Sequence, residues 1–395
     1  MWHFVSPEIV FGQGALEALD GLSGERALIV TDTTLVELGL VDRVMTRLRK
    51  AGLETHVFAD VEPDPSVETV LLGAQAAQEL EPDWIVGVGG GSPMDAAKAI
   101  WVLYERPDLQ PGEINPFIDL GLRQKARLVT IPTTSGTGAE VTWGIVLTDA
   151  AEERKMGLGN RENVADLAIV DPLMAAGMPP ALTADTGMDA LTHAVEGYAC
   201  TWHTDLTDGL CAKAARDIFW YLGRAVEAGG EPSRPTGTDM EARERMHNAA
   251  TCAGLGFGNA MASLAHATGH ALGAAFHVPH GRAVGLFLPY TIEFAAREAP
   301  ERFADLAGLL GFATGSGDVA ARELATRIRA LAREIGSPVS VGELDVEEQA
   351  YEAQVEKLVD DAFNDTQIVT APRSPTYEEL GKLFLYAFEG REIDF

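Results

Sequence analysis

The sequence predicts an α/β half built on a mainly parallel sheet, followed by an all-helical half. Three observations carry that expectation. Short apolar runs alternate with helix-length segments from about residue 26 to residue 171, as βαβ units do. A glycine-rich turn, VGVGGGSPMDAAK (86–98), joins one of these runs to a helix. Beyond a Pro-Pro pair at 179–180 the alternation stops, and nearly everything from Ala184 onward reads as helix.

Taken in order, HFVSPEIVFG (3–12) offers a short strand and a Gly-marked turn. RALIVT (26–31) is a strand and LVELGLVDRVMTRLRKAG (35–52) a helix stopped by Gly52. THVFA (55–59) precedes a Pro-bounded turn, EPDPS (62–66), and VETVLLGAQAAQEL (67–80) is helical. DWIVGV (83–88) is a buried strand and SPMDAAKAIWVLY (92–104) a helix. ARLVTIP (126–132) and DLAIVD (166–171) extend the sheet, and PLMAAGMPPAL (172–182) closes this half. The expected domains are therefore 1–180 and 181–395. Further Gly/Pro breaks fall at 229–238, a surface loop by composition, and at 371–375. There is no internal repeat.

The 395 residues suffice for two domains, and 46% apolar with 23% charged residues is ordinary globular composition. A formal net charge of -29 argues against nucleic acid and anionic membranes, both of which attract basic surfaces. Cys200, Cys211 and Cys252 are odd in number and form no CxxC pair, so neither a disulfide framework nor a thiolate zinc site is indicated. The opening residues lack a basic start followed by an apolar run. A cytoplasmic location with reduced thiols is expected.

The run Gly89-Gly90-Gly91 ahead of Ser92 and Pro93 lets a backbone approach a pyrophosphate, with a helix N-terminus supplying free N–H groups. It is not the full GxGxxG fingerprint; the nearest match is Gly87-x-Gly89-x-x-Ser92. A second small-residue turn, PTTSGTGAEVT (132–142), follows another strand and offers Thr133, Thr134, Ser135 and Thr137. In a Rossmann-like sheet both turns sit at the carboxyl ends of strands, where ligands bind. Asp32, just past strand 26–31, either accepts from adenosine ribose hydroxyls, favouring NAD over NADP, or caps the next helix.

From Met246 to Gly281 there is no Asp, Glu, Lys or Arg, yet His247, His266, His270, His277 and His280 all lie there. So long an uncharged run in so acidic a chain must be buried. It is too rich in Gly, His, Asn and Ser to span a membrane. Histidines gathered in one buried stretch suggest a metal site. Asp189 and His193 stand at i, i+4 on a predicted helix, as do His266 and His270, so each pair shares a face. Such a set suits Fe(II), Zn(II), Ni(II) or Mn(II).

Four motifs in order, GGGSPMDAAK, PTTSGTGAEVT, GMDALTHAVEGY and HATGHALGAAFHVPHG, resemble those of the iron-containing (group III) alcohol dehydrogenases. The resemblance runs from about residue 4 to residue 390 and implies a dehydroquinate synthase-like architecture, with a Rossmann-like α/β domain and an all-α domain. It implies that Asp189, His193, His266 and His280 hold one divalent metal, Fe(II) foremost. It makes His270 a proton relay beside the nicotinamide and gives His277 no ligand role. It places Gly89, Gly90, Gly91 and Ser92 on the pyrophosphate of NAD, with Thr133, Thr134, Thr137 and Thr142 around the cofactor. Lys155 would reach the cofactor ribose, Asp32 and Asp64 the adenosine end, and Asp95 with Lys98 would contact the cofactor or orient the loop. Phe257 matches a substrate-pocket position. Gly144 stands where some members carry Asn, and NDTQIVTAPRSPT (364–376) lacks the cysteine of the family's CxxxNPR-like stretch.

The expected function is hydride transfer between small alcohols or aldehydes and NAD, in a homo-oligomer of two or more subunits. Three other classes remain: a hydroxyacid–oxoacid transhydrogenase, a dehydroquinate synthase-like lyase and a non-catalytic metal store. The lyase needs a basic phosphate pocket, which residues 246–281 do not supply. In the metal store both cofactor turns would be idle.

Overall fold

The computed structural model describes residues 3–149, 154–229, 239–312, 315 and 317–395. The chain divides into two compact units, Met1–Met178 with Gly230–Thr251, and Pro179–Gly229 with Cys252–Phe395. The division after Met178 falls beside the expected boundary at 180, and the described residues 239–251 group with the first unit.

The first unit is built on strands β1 (Glu8–Phe11), β2 (Arg26–Val30), β3 (Glu54–Phe58), β4 (Trp84–Gly89), β5 (Arg127–Pro132) and β8 (Leu167–Val170). They form one sheet in the order β1-β8-β5-β4-β2-β3, and every pairing is parallel. Helices α1 (Thr33–Glu37), α2 (Leu40–Lys50), α3 (Val67–Leu80), α4 (Gly91–Glu105) and α5 (Pro172–Ala175) belong to the same unit. Alternate strand residues serve two cores. Leu28, Val30, Ile85 and Leu128 pack with α3 and α4, whereas Ala27, Ile29, Val86 and Val129 pack with α2. A parallel sheet buried on both faces needs this near-continuous apolar sequence, which is why β4 is buried along its whole length.

Two local readings need correction. The helix expected over 35–52 is two helices, because Gly39 adopts a left-handed φ of 72° and breaks the run. The strand in 3–12 narrows to Glu8–Phe11, starting after Pro7, which has no N–H to donate. The structure also adds an antiparallel ribbon, β6 (Gly144–Asp149) with β7 (Arg154–Gly159). Of the loop expected at 229–238, only Gly229 lies within the described residues.

The remaining elements are helices: α6 (Pro180–Ala199), α7 (Asp205–Ala228), α8 (Met240–Asn259), α9 (Leu264–Phe276), α10 (His280–Ala295), α11 (Pro300–Leu309), α12 (Gly317–Glu334), α13 (Glu348–Phe363) and α14 (Tyr377–Glu389). Among the described residues none is long and apolar enough to cross a membrane. Glycine lets α10 lie directly on α6. A Cβ at Gly281 would sit 2.2 Å from the Asp185 carbonyl oxygen, which is backbone and cannot swing away. Gly281→Ala should therefore cost about 1–3 kcal/mol of stability, read as a lowered midpoint in thermal denaturation.

Candidate metal centre and cofactor turns

The centre of the second unit is Asp189, 2% exposed, on α6. Three imidazoles converge on one of its oxygens. His193 Nε2 lies 3.8 Å from Asp189 Oδ1, His266 Nε2 3.8 Å and His280 Nε2 3.4 Å. His193 comes from the same helix one turn on, His266 from α9 and His280 from the first residue of α10. The His193 ring stacks on Phe257 at 3.9 Å with 7° between planes, which fixes its orientation. Burial alone would raise the Asp189 pKa; the charges of His193, His280 and His266 outweigh it and hold the carboxylate well below its usual range.

Glu196, one turn beyond His193 on α6, organises the next layer. Its Oε2 accepts from His266 Nδ1 at 2.6 Å and from Ser263 N at 2.9 Å, and its Oε1 from Ala265 N at 2.5 Å. Because Oε2 already receives a backbone N–H, His266 Nδ1 is a donor to it, and a neutral ring then carries its lone pair on Nε2. Burial lowers the His266 pKa, but the bond to Glu196 outweighs it and raises the pKa, making Nε2 a stronger electron donor. Among the described residues neither His266 Nε2 nor Asp189 Oδ1, both buried, has a hydrogen-bond partner. Two acceptor atoms facing each other without a donor repel unless a cation sits between them. The donor set therefore fits a divalent metal, and Asp189, His193 and His266 lie close enough together to hold one.

His270, one turn after His266, is held in the same way by a different carboxylate. Its Nδ1 lies 2.7 Å from Asp365 Oδ2. Burial would raise the Asp365 pKa, but the bond and charge of His270 lower it, so the carboxylate is ionised and accepts from Nδ1–H. The lone pair is then on Nε2. The ring is stacked on that of His280, centroids 5.2 Å apart. His277 caps α9 with a left-handed φ of 54° and lies outside the cluster's contacts. Neither Glu196 nor Asp365 is legible in the sequence as a site residue: each is one carboxylate whose partner is 70 or 95 positions away.

In the first unit the two small-residue turns meet. Thr133 N donates to Gly89 O at 2.9 Å, joining the ends of β5 and β4. A Cβ at Gly89 would strike Pro93 at 2.4 Å, one at Gly90 would touch Thr134 and one at Gly91 would press on Thr137 at 3.2 Å. Gly90 is the N-cap of α4, so free N–H groups of that helix open onto this surface. Thr137 Oγ1 accepts from Ala139 N at 3.3 Å. Beside them, Ser92 Oγ accepts from Asp64 N at 3.2 Å, and Asp64 pairs with Lys155 at 2.8 Å.

Asp95, Thr142 and Gly144 form a separate group around buried Lys98. Its Nζ lies 3.3 Å from Asp95 and donates to Thr142 Oγ1 at 3.4 Å and Gly144 O at 2.9 Å. Asp95 also accepts from Val146 N at 3.0 Å, an arrangement that orients β6. Asp32 caps α1, accepting from Leu35 N at 2.9 Å, so the capping reading of this residue is realised.

Both halves of the chain match family models: "Iron-containing alcohol dehydrogenase" over residues 6–172 and "Fe-containing alcohol dehydrogenase family, C-terminal" over 183–388. The chain belongs to the iron-containing alcohol dehydrogenase family. It is 39% identical over 398 residues to the NADPH-dependent butanol dehydrogenase of Clostridium saccharobutylicum, covering all of both chains. It is 37% identical to the bifunctional aldehyde-alcohol dehydrogenase of Escherichia coli K12 over 99% of its own length, spanning 47% of that larger protein. Among solved structures, a 1,3-propanediol oxidoreductase superposes with a TM-score of 0.90 at 35% identity, covering 98% of this chain and all of the other. A sulfoacetaldehyde reductase from Bifidobacterium kashiwanohense in complex with NAD+ gives 0.85 at 30% identity, covering 98% and 99%. This family member is thus an oxidoreductase of the alcohol dehydrogenase and aldehyde reductase type, and the family implies a nicotinamide cofactor and a divalent metal. The lyase, transhydrogenase and metal-store readings are not favoured by these likenesses.

Proposed function

We propose that this dehydrogenase interconverts small alcohols and aldehydes with NAD as its preferred nicotinamide and Fe(II) as its first-choice metal. Zn(II), Ni(II) and Mn(II) are the competitors. We place it in the cytoplasm as a homo-oligomer of two or more subunits. The observation that carries the reading is the convergence of three imidazole nitrogens on the buried Asp189 oxygen. Asp189, His193, His266 and His280 would hold the metal. Bound there, it supplies a Lewis acid that lowers the alcohol's pKa and stabilises negative charge on its oxygen.

The remaining chemistry belongs to the chain. Glu196 holds His266 with its lone pair toward Asp189. Asp365 holds His270 Nδ1, leaving Nε2 to take up the hydroxyl proton and pass it outward. Phe257 braces His193 and would line the substrate pocket, and Gly144, with open space where a side chain would project, is the other proposed substrate position. Gly89, Gly90, Gly91, Ser92, Thr133, Thr134, Thr137 and Thr142 would receive the cofactor, with Asp95 orienting the loop, and hydride transfer itself is the nicotinamide's chemistry. Following NADH absorbance against a panel of alcohols, aldehydes and hydroxyacids, with elemental analysis of protein purified without added metal, tests this reading. Turnover without added nicotinamide would instead mark a transhydrogenase.

The preference for NAD rests on Asp32, whose carboxylate would repel a 2′-phosphate. Asp32→Gly should shift the NADP-to-NAD ratio of kcat/KM upward by about tenfold, while costing only a few tenths of a kcal/mol at the cap, where Gly is tolerated. An unchanged ratio would remove Asp32 from the adenosine end, leaving Asp64 as its remaining candidate. A parent enzyme that already prefers NADP, as the butanol dehydrogenase relative is named to use, would refute the preference itself.

A further inference from the structure

One buried histidine has no part in the chemistry above. His247, on α8, is 1% exposed, and its Nδ1 lies 3.0 Å from Ser135 Oγ. One helical turn on, Thr251 Oγ1 donates to Glu140 Oε1 at 2.7 Å, and Glu140 is itself 2% exposed. Positions i and i+4 share a helix face, so both bonds leave α8 on the same side. Both end on the 132–142 turn, one on each side of Thr137.

Between these two anchors the turn carries two glycines. Gly138 takes a left-handed φ of 62°, and Gly136 carries no side chain. Burial lowers the His247 pKa to about 4, so the ring is neutral, with one donor and one acceptor nitrogen. Its Nε2 is buried without a hydrogen-bond partner among the described residues. An apolar side chain would fill the same space without that penalty. What histidine adds is the bond to Ser135, and paired buried polar groups fix a geometry that apolar packing leaves loose.

We propose that His247 and Thr251 are positioning residues for the nicotinamide cofactor, clamping the 132–142 turn to α8 at Ser135 and Glu140. The clamp holds the hydroxyls of Thr133, Thr134 and Thr137 in the conformation that receives the cofactor. It rests on the reading of those threonines as cofactor contacts.

The test compares H247A, H247Q, S135A and T134V with the parent holoenzyme, using NADH fluorescence titration, steady-state kinetics in NAD and metal content. H247A and S135A should each raise the Kd for NADH and the KM for NAD by about tenfold, with kcat at saturating cofactor within about twofold. Metal content should not change. The double variant should bind no more weakly than either single one, because both remove the same bond. H247Q, whose amide can bond the hydroxyl, should recover most of the affinity, which a role in folding alone would not produce. If H247A does not fold, S135A, which deletes one hydroxyl, decides. Unchanged NADH affinity in H247A or S135A alongside weakened binding in T134V overturns the clamp. Unchanged affinity in T134V as well overturns the assignment of the turn to the cofactor, and the clamp's purpose with it.

Discussion

His266→Ala should yield protein that purifies without its divalent metal and oxidises alcohols at least about a thousandfold more slowly, because a Lewis acid at the reacting oxygen is worth several kcal/mol. His280→Ala should do the same. Each removes one of three imidazole nitrogens lying within 3.8 Å of Asp189 Oδ1. The cofactor turns belong to the first unit, so NADH should still bind. Elemental analysis together with NADH fluorescence titration checks both halves. Full metal content in the His280 variant would show the ligand set to be wrong.

Glu196→Gln is expected to weaken metal binding by about 10- to 100-fold, the usual effect of removing an outer carboxylate from a ligating histidine. The two oxygens of Glu196 serve three donors, and an amide nitrogen cannot accept from any of them. Either His266 Nδ1 loses its acceptor or the first turn of α9 does. Chelator competition measures the metal term, and thermal denaturation of the metal-free protein measures the helix term. A drop in metal-free stability with unchanged metal affinity would confine Glu196 to holding the start of α9.

The sheet was largely legible because burial on both faces writes it as apolar runs: 83–88 against Trp84–Gly89, 126–132 against Arg127–Pro132, 166–171 against Leu167–Val170. Helix 67–80 was legible to the residue, with Ser66 as its cap. The β6–β7 ribbon was not. Its residues lie beside the Ser/Thr-rich turn and carry no clear alternation, and Lys98 secures its start through the Gly144 carbonyl. The histidine cluster was legible from the uncharged stretch and the i, i+4 pairs. Its supporting carboxylates were not, since a lone Glu196 or Asp365 acquires meaning only when a distant element folds against it. Asp32 shows the converse: one carboxylate allowed two readings, and local geometry realises the cap.

Strand β1 has consequences for how the chain is made. Its partner is β8, with Glu8 opposite Leu167 and Phe11 opposite Val170. Once synthesised, β1 therefore waits for some 160 further residues before its neighbour exists, a separation that slows closure of the sheet. Until then β1 and the neighbouring edge of β5 are both unpaired, and unpaired strand rims invite association with other chains. Trimming the amino-terminal segment would leave β8 as a bare edge in the finished sheet, replacing a brief hazard of biogenesis with a lasting tendency to aggregate.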